Sequence, residues 1–150
     1  MGRIKIGRIY SMKVIEVEAV KDNLEKIIDF IKDELSDFDC PSKTIMKIRL
    51  AVEEIFVNIA SYAYGEETGM AEIIFDYKPE TNDIYLTFID SGVQYDPLAK
   101  EDPDITLSAA ERQIGGLGIY MVKKSMDDMR YEYRNGQNFL TITKKLKLKP

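Results

Sequence analysis

The pattern of apolar and polar residues predicts a strand followed by two helices in the first part of the chain. Apolar positions alternate with polar ones over residues 12–18, which is the period of a strand. Over residues 22–35 they recur at helical spacing, which predicts an amphipathic helix with one buried stripe. A second helix is predicted over residues 41–63, because Pro41 suits a first helical turn and Gly65 follows the last apolar position.

The second half of the chain predicts hairpins around one further helix. Asn135 and Gly136 separate two alternating runs, and this dipeptide is a strong signal for a tight hairpin turn. The predicted strands cover residues 71–77, 84–89, 129–134 and 139–146, and the predicted helix covers residues 117–126. Because hairpins dominate, we expect an α+β fold: a two-layer α/β sandwich whose mixed, mostly antiparallel sheet carries its helices on one face.

Length and composition fit one globular domain. The chain has 150 residues, and its composition is ordinary for a globular protein, which predicts a single domain over residues 1–150 with residues 1–11 as an N-terminal extension or partial strand. The formal net charge of −5 argues against a broad attraction to nucleic acid or to an anionic membrane. The lysine-rich residues 144–149 alternate with leucines, and we interpret them as the solvated face of an edge strand.

The residue types that are missing exclude several chemistries. The chain has no histidine and one cysteine, Cys40, which argues against a zinc site and against Ser-His or Cys-His catalysis. One cysteine permits no internal disulfide, and together with the lack of a secretory signal this favours the cytoplasm. No stretch approaches the ~20 apolar residues of a membrane helix. Any chemistry must therefore rest on carboxylates, amides, hydroxyls, backbone groups or a bound cofactor.

The second predicted helix carries a carboxylate and an amide on one face. Glu54 and Asn58 are four residues apart, so their side chains lie about one turn from each other. One interpretation is a polar stripe on a half-exposed helix. The other is a carboxylate base beside an amide oxygen that coordinates Mg²⁺, a cation that prefers oxygen ligands. Glu53 is a second candidate carboxylate, although only Glu54 has the four-residue spacing to Asn58.

Two loops add candidate ligand-binding groups. Asp90 ends an apolar strand, and its carboxylate can accept a hydrogen bond from an exocyclic amine, while Gly92 allows a ligand to approach the backbone. An ordinary Asp-Ser-Gly turn is the competing interpretation. Residues 114–119 read Ile-Gly-Gly-Leu-Gly-Ile directly before a helix, where backbone amides form an anion cradle. This loop fits neither a Walker A motif nor the dinucleotide-binding fingerprint of a Rossmann fold.

In this order and spacing, the three motifs resemble the GHKL superfamily of ATPases and kinases. Within it, the chain resembles the single-domain anti-sigma factor serine/threonine kinases of the RsbW and SpoIIAB type. The likeness spans about residues 23–145 and includes the closing segment 127–138. It rests on E-x-x-x-N at residues 54–58, D-S-G-x-x-Y-D-P at residues 90–97 and G-G-L-G-I at residues 115–119. The resemblance implies a Bergerat-type ATP-binding fold.

The resemblance also implies roles for the motif residues. Glu54 would be the catalytic general base, and Asn58 would hold Mg²⁺ against the phosphates of ATP. Asp90 would bind the adenine amine, and Gly92 would line the base pocket. Residues 100–114 would form a mobile lid over ATP. The phosphates would be bound by Gly115, Gly116, Leu117 and Gly118, with Arg112 reaching the terminal phosphate.

The motifs predict a nucleotide-binding site, and the resemblance implies a Mg-ATP-binding anti-sigma factor that acts as a protein serine/threonine kinase. By resemblance, its substrate would be a STAS-type anti-sigma factor antagonist, its other partner a sigma factor, and its assembly a homodimer, with no nucleic acid or membrane partner. Many relatives carry His four residues after the motif Asn, where this chain has Tyr62, so no contact is carried over at that position. The alternatives are a nucleotide-dependent binding module without turnover, a stand-alone ATPase in which water replaces the serine, and a domain whose motifs are coincidental.

Overall fold

The structure is a computed structural model that describes residues 12–99 and 117–146. Its elements follow the predicted order to within one or two residues at each boundary. A 3-10 turn at Lys21–Asn23 leads directly into the first helix. The strands are β1 Lys13–Glu18, β2 Met70–Lys78, β3 Asp83–Asp90, β4 Asp128–Arg134 and β5 Gln137–Lys145, and the helices are α1 Leu24–Leu35, α2 Ser42–Tyr62 and α3 Leu117–Ser125.

The five strands form one sheet in the order β1-β2-β3-β5-β4. Each recorded strand pair is antiparallel, so within the described ranges the sheet is fully antiparallel rather than mixed. The α+β prediction is confirmed. The pairing of β3 with β5 places Asp90 directly opposite Asn138. This register brings together two residues that are far apart in the sequence, at one end of the sheet.

The core lies between the sheet and the helices. Alternate residues of β2 and β3 point toward the helices, because successive side chains of a strand point to opposite faces. Phe75, Leu86 and Phe88 on the strands, and Val52 and Phe56 on α2, are each at most 1% exposed and belong to one hydrophobic cluster. The long apolar face of α2 is therefore buried against the sheet, and its polar side chains are left at the margins of this contact.

The predicted hairpin between the last two strands is confirmed. Asn135 and Gly136 both adopt positive φ angles, of 52° and 76°. Two successive residues in this conformation produce the tight turn whose twist matches that of the flanking strands. The connection between β2 and β3 also turns through a left-handed residue, Asn82, with a φ of 60°.

We expected the lysine-rich end of the chain to lie on an edge strand. β5 as a whole lies between β3 and β4, but its pairing with β4 ends at Thr143, so Lys144 and Lys145 pair with β3 alone. Lys144 also donates to the backbone carbonyl of Ser125 at the end of α3 (2.9 Å). The predictions made for residues 1–11 and for residues 147–149 lie outside the described residues. Within the described ranges, no helix is long and apolar enough to cross a membrane.

Candidate nucleotide-binding site

A pocket of about 510 Å³ lies between α2 and the ends of β3 and β5. The helix contributes one wall and the inward faces of the strands contribute the other, with the segment after β3 at the mouth. Asn58 and Asp90, both predicted from the sequence as site residues, line this pocket. The other lining residues are Ile55, Ile59, Tyr62, Ala63, Phe88, Val93, Gln94, Tyr95, Pro97, Ile119, Tyr131, Asn138 and Leu140.

Asp90 is the last residue of β3, and its side chain is 6% exposed. Its Oδ1 atom accepts a hydrogen bond from the Gly92 amide (2.9 Å) and one from Asn138 Nδ2 (2.9 Å). Both hydrogen bonds that the carboxylate accepts from the described residues thus end on the same oxygen. The second oxygen, Oδ2, is left to accept a hydrogen bond from a ligand. A fixed acceptor in an apolar pocket is a specific recognition group, because a bound molecule without a matching donor leaves it unpaired.

Asn138 is a site residue that the sequence reasoning missed. Its Nδ2 donates to Asp90 and also to the carbonyl of Val93 (2.9 Å), and its Oδ1 accepts from the Tyr95 amide (3.1 Å) and the Tyr131 hydroxyl. The buried amide, 6% exposed, therefore joins β3, β4, β5 and the segment after β3. A signal existed in the alternation of β5, since Asn138 has the same parity as the apolar, buried Leu140 and Ile142, although the predicted strand began only at residue 139.

Gly92 is held against the end of α2. A Cβ atom built on Gly92 would lie 2.2 Å from the carbonyl oxygen of Ala63, so only glycine permits this contact. The next residue, Val93, donates its amide hydrogen to the same carbonyl (2.8 Å). The approach of a ligand to the backbone at Gly92 stays a prediction, and the contact with Ala63 is a separate reason for glycine at this position. The contact fixes the loop that follows Asp90 relative to α2.

Glu54 and Asn58 meet as their spacing predicts. The Nδ2 atom of Asn58 donates to Glu54 Oε2 (3.2 Å), which leaves the amide oxygen of Asn58 available to a ligand. The Glu54 carboxylate also lies against α3, since a Cβ atom on Gly118 would be 2.2 Å from it. The half-exposed α2 face thus presents a carboxylate and an amide oxygen between the pocket and the first turn of α3.

The mouth of the pocket carries exposed apolar and aromatic surface. Tyr62, Val93 and Tyr95 are 72%, 64% and 48% exposed, and each of them lines the pocket. A planar ligand bound there would cover part of this surface, since aromatic faces stack favourably on flat ring systems. Tyr62 follows Asn58 by one helical turn, so it lies on the same side of α2.

Several predicted site residues lie outside the described residues. These are Arg112, Gly115, Gly116 and the lid segment 100–114. Leu117 is the first residue of α3, and nothing further is assigned to its side chain. Gly118 is the second residue of α3 and lies beside Glu54.

The tyrosines around Asp90 are held in their neutral form. Burial raises the pKa of Tyr131, and the negative charges of Asp96 and Asp90 raise it further. Burial likewise raises the pKa of Tyr64, and the nearby Asp90 charge adds to this effect. Both causes disfavour a phenolate, so each hydroxyl keeps its proton to a higher pH than an ordinary tyrosine does.

The polar side chains at this site offer oxygen atoms, the type of ligand that magnesium prefers. Within residues 12–99 and 117–146, no group of three or more His, Cys, Asp or Glu side chains is placed to hold a metal ion. Mg²⁺ is usually bound by one or two protein oxygens together with water and substrate phosphates. The free amide oxygen of Asn58 and the Glu54 carboxylate beside it are enough to supply these one or two protein oxygens.

The fold and the site together indicate the class of protein to which this chain belongs. A five-stranded antiparallel sheet with helices on one face, and a pocket between a Glu/Asn-bearing helix and a buried strand-end Asp, is the architecture expected of a GHKL-type ATPase domain. The chain belongs to the histidine kinase-like ATPase domain family, whose description matches residues 17–144. The resemblance predicted from the three motifs is thereby confirmed.

The relatives are bacterial serine kinases. Serine/threonine-protein kinase BtrW of Bordetella bronchiseptica is 29% identical over 96 residues, which cover 64% of this chain and 67% of that protein. Serine-protein kinase RsbW of Listeria monocytogenes is 28% identical over 99 residues, covering 63% of this chain and 62% of that protein. The chain thus matches somewhat under two thirds of the length of the Listeria relative. A crystal structure of the RsbU and RsbW domains of a Mycobacterium tuberculosis protein is similar in fold, with a TM-score of 0.65 and 14% identity over 91% of this chain and 32% of that chain.

Proposed function

We propose that this protein binds Mg-ATP and transfers the terminal phosphoryl group to a serine or threonine hydroxyl of a partner protein. The observation that carries the proposal is the Asn58–Glu54 hydrogen bond. It joins a residue that lines the pocket to a carboxylate beside the first turn of α3. The names of the relatives, serine and serine/threonine kinases, support the same reaction.

Adenine recognition is assigned to Asp90. Its Oδ1 is occupied by two hydrogen bonds from the protein, so Oδ2 is the atom that would accept the exocyclic amine of adenine. The apolar walls of the pocket, including Ile55, Phe88 and Leu140, would pack against the base. The phosphates would then extend toward Gly118 and the preceding glycines, as the motif predicts.

Asn58 would contribute its amide oxygen to Mg²⁺. The ion, when bound, neutralises charge on the phosphate oxygens and so favours attack by a nucleophile. The hydrogen bond that Asn58 donates to Glu54 orients its amide, because the nitrogen is committed and the oxygen must point away from the carboxylate. This arrangement supports a positioning role for Glu54 as well as a catalytic one.

Glu54 would act as the general base. As the hydroxyl oxygen of the acceptor bonds to the terminal phosphorus, its proton passes to the Glu54 carboxylate, and the bond between that phosphorus and the leaving oxygen of ADP breaks. The products are the phosphorylated side chain and ADP. Most of the rate enhancement in such reactions comes from positioning and charge neutralisation, so the base contributes only part of it.

The partners follow from the resemblance. We infer a STAS-type anti-sigma factor antagonist as the phosphoryl acceptor and a sigma factor as the second client, with a homodimer acting in the cytoplasm. The formal net charge of −5 supports protein partners over direct contact with nucleic acid.

The decisive experiment incubates the protein with γ-labelled Mg-ATP and a panel of candidate antagonists, and compares the wild type with Glu54→Gln. We expect transfer to fall by roughly 10²–10⁴-fold, because general-base catalysis contributes about that much. Nucleotide affinity should change little. Glu53→Gln is the matched control, since it removes the neighbouring carboxylate from the same helix and should leave transfer intact.

The other outcomes separate the alternatives. Transfer at the wild-type rate by Glu54→Gln would refute the base assignment. Nucleotide binding by the wild type, without transfer or hydrolysis, would identify a binding module. Steady phosphate release without an acceptor would identify an ATPase. Unchanged thermal stability in saturating Mg-ATP would contradict nucleotide binding itself, because a ligand that binds the native state must stabilise it.

A further inference from the structure

The hydroxyl of Tyr64 joins three chain segments beside Asp90. Tyr64 lies two residues after the end of α2, and its hydroxyl donates a hydrogen bond to the backbone carbonyl of Met70 at the start of β2 (2.6 Å). The same oxygen accepts a hydrogen bond from the backbone amide of Ser91, directly after β3 (2.8 Å). Met70 and Ser91 flank the cross-strand pair formed by Ala71 and Asp90.

The aromatic ring is also fixed in place. A Cβ atom on Gly69 would lie 2.3 Å from the ring of Tyr64, so the ring occupies the space of a side chain at that position. The residue before it, Ala63, accepts the amide hydrogen of Val93 (2.8 Å). Residues 63 and 64 therefore hold the backbone on both sides of Gly92, one through a carbonyl and the other through a hydroxyl.

The backbone of residues 91–92, which Tyr64 and Ala63 hold in this way, also orients the side chain of Asp90. The Ser91 amide points to Tyr64, and the following Gly92 amide points back to Asp90 Oδ1 (2.9 Å). Loss of the Tyr64 hydroxyl would leave the Ser91 amide and the Met70 carbonyl without this shared partner. The turn after β3, and with it the direction of the carboxylate, would then be less constrained.

We propose that Tyr64 is a positioning residue for base recognition, holding Asp90 in the orientation that selects a purine with an amine at C6 over one with a carbonyl at C6. The inference rests on the proposed nucleotide-binding function and deepens it. Tyr64 lies outside the set of residues that line the described pocket, so it acts through Asp90 rather than on the ligand.

The test measures the affinities of Mg-ATP and Mg-GTP for the wild type and for Tyr64→Phe. Adenine carries an amine where guanine carries a carbonyl, so the ratio of the two affinities reports the orientation of Asp90. We expect the wild type to prefer ATP, and Tyr64→Phe to lower ATP affinity about 10-fold, the size expected for one hydrogen bond to a fixed group, while GTP affinity stays nearly constant.

Tyr77→Phe is the matched control. It also removes a tyrosine hydroxyl, one that donates to Asn82 Oδ1 (2.8 Å) at the opposite end of β2. The control should lower thermal stability without changing the ratio of ATP to GTP affinity. A Tyr64→Phe protein with the wild-type ratio would overturn the inference, whatever its melting temperature. A wild type that binds neither nucleotide would overturn the proposed function first, and the inference with it.

Amide hydrogen exchange in the wild type gives a second measurement that does not depend on folding of the variant. The Ser91 amide should exchange slowly in the free protein and at least several-fold more slowly in saturating Mg-ATP, because ligand binding suppresses the local opening that exposes it. Exchange at the rate of an unprotected amide in the free protein, or no further slowing by Mg-ATP, would contradict the role assigned to Tyr64.

Discussion

The carboxylate of Glu54 occupies the space in which a side chain on Gly118 would lie. A Cβ atom on Gly118 would be 2.2 Å from Glu54 Oε2 and from the carboxyl carbon, far inside van der Waals contact. The absence of a side chain in the first turn of α3 thus permits the carboxylate to approach the helix. Helix N-termini attract negative charge, so the approach is electrostatically favourable.

Gly118→Ala should therefore lower activity while leaving stability nearly unchanged. The added methyl group displaces the end of a flexible side chain, and alanine favours the helix, so we expect the melting temperature to change by only a few degrees. Phosphoryl transfer should fall about 10–100-fold, because a misplaced base or phosphate loop loses positioning. Met121→Ala changes an exposed residue of the same helix and should leave both properties intact. Full activity of Gly118→Ala would show that Glu54 works from another position.

Gly92→Ala, in contrast, should lower the stability of the protein. Its methyl group would meet the backbone carbonyl of Ala63 at 2.2 Å, and a backbone atom has little room to move. We expect the free energy of unfolding to fall by about 1–3 kcal/mol, the range for overpacking a fixed contact. Urea denaturation measures the change, with Gly118→Ala as the comparison. Equal stability of the two variants would contradict the rigid junction between α2 and the loop after β3.

Asn138→Ala should destabilise the pocket. It removes an amide that makes four hydrogen bonds and leaves Asp90, Val93, Tyr95 and Tyr131 without that partner. Each buried polar group left unpaired costs about 1–3 kcal/mol at most, and relaxation of the surrounding structure reduces the total. We therefore expect the free energy of unfolding to fall by roughly 2–4 kcal/mol.

Calorimetry or urea denaturation measures the stability of the Asn138→Ala protein, and a Mg-ATP titration measures its nucleotide affinity, which should fall as well. Thr141→Ala is the control on the same strand, since it removes a hydroxyl that contacts Thr87 at 3.0 Å. A larger stability loss in Thr141→Ala than in Asn138→Ala would contradict the central place given to Asn138.

Stability should fall in alkaline solution. Burial raises the pKa of Cys40, Tyr64 and Tyr131 in the folded chain above the ordinary values of 9.0 and 10.0. As the pH rises, the unfolded chain loses these protons first, so it is favoured, and the free energy of unfolding decreases from about pH 9 upward. Urea denaturation at about pH 7.5 and about pH 10.5 measures the decrease. Tyr131→Phe should make it smaller, and a Tyr131→Phe protein with the wild-type pH dependence would contradict the assignment.

The local features of this fold were predictable from the sequence. Apolar residues that recur every two or every 3.6 positions located each described strand and helix. The four-residue spacing of Glu54 and Asn58 predicted their contact. The Asn135-Gly136 turn followed from the conformations these two residues tolerate. Each of these depends on residues within one or two turns of each other, where the chain itself fixes the geometry.

The features that were missed depend on register between distant strands. The position of β5 between β3 and β4 is one such feature, and nothing local to residues 137–145 encodes it. The same pairing brings Asn138 to Asp90, and the backbone amide of Ser91 reaches the hydroxyl of Tyr64 only through tertiary packing. The predicted strand began at residue 139 and so left Asn138 outside it, and a single sequence does not specify which residue stands opposite it.

The 48-residue separation of Asp90 and Asn138 has a consequence during translation. A chain that has emerged from the ribosome only as far as α3 already contains Glu54, Asn58 and Asp90, but lacks the strand that holds the Asp90 carboxylate. Non-local strand pairs form late because their loops must close first. The pocket is therefore completed only with the last hairpin, and a chain that ends before β5 lacks the amide that holds the Asp90 carboxylate.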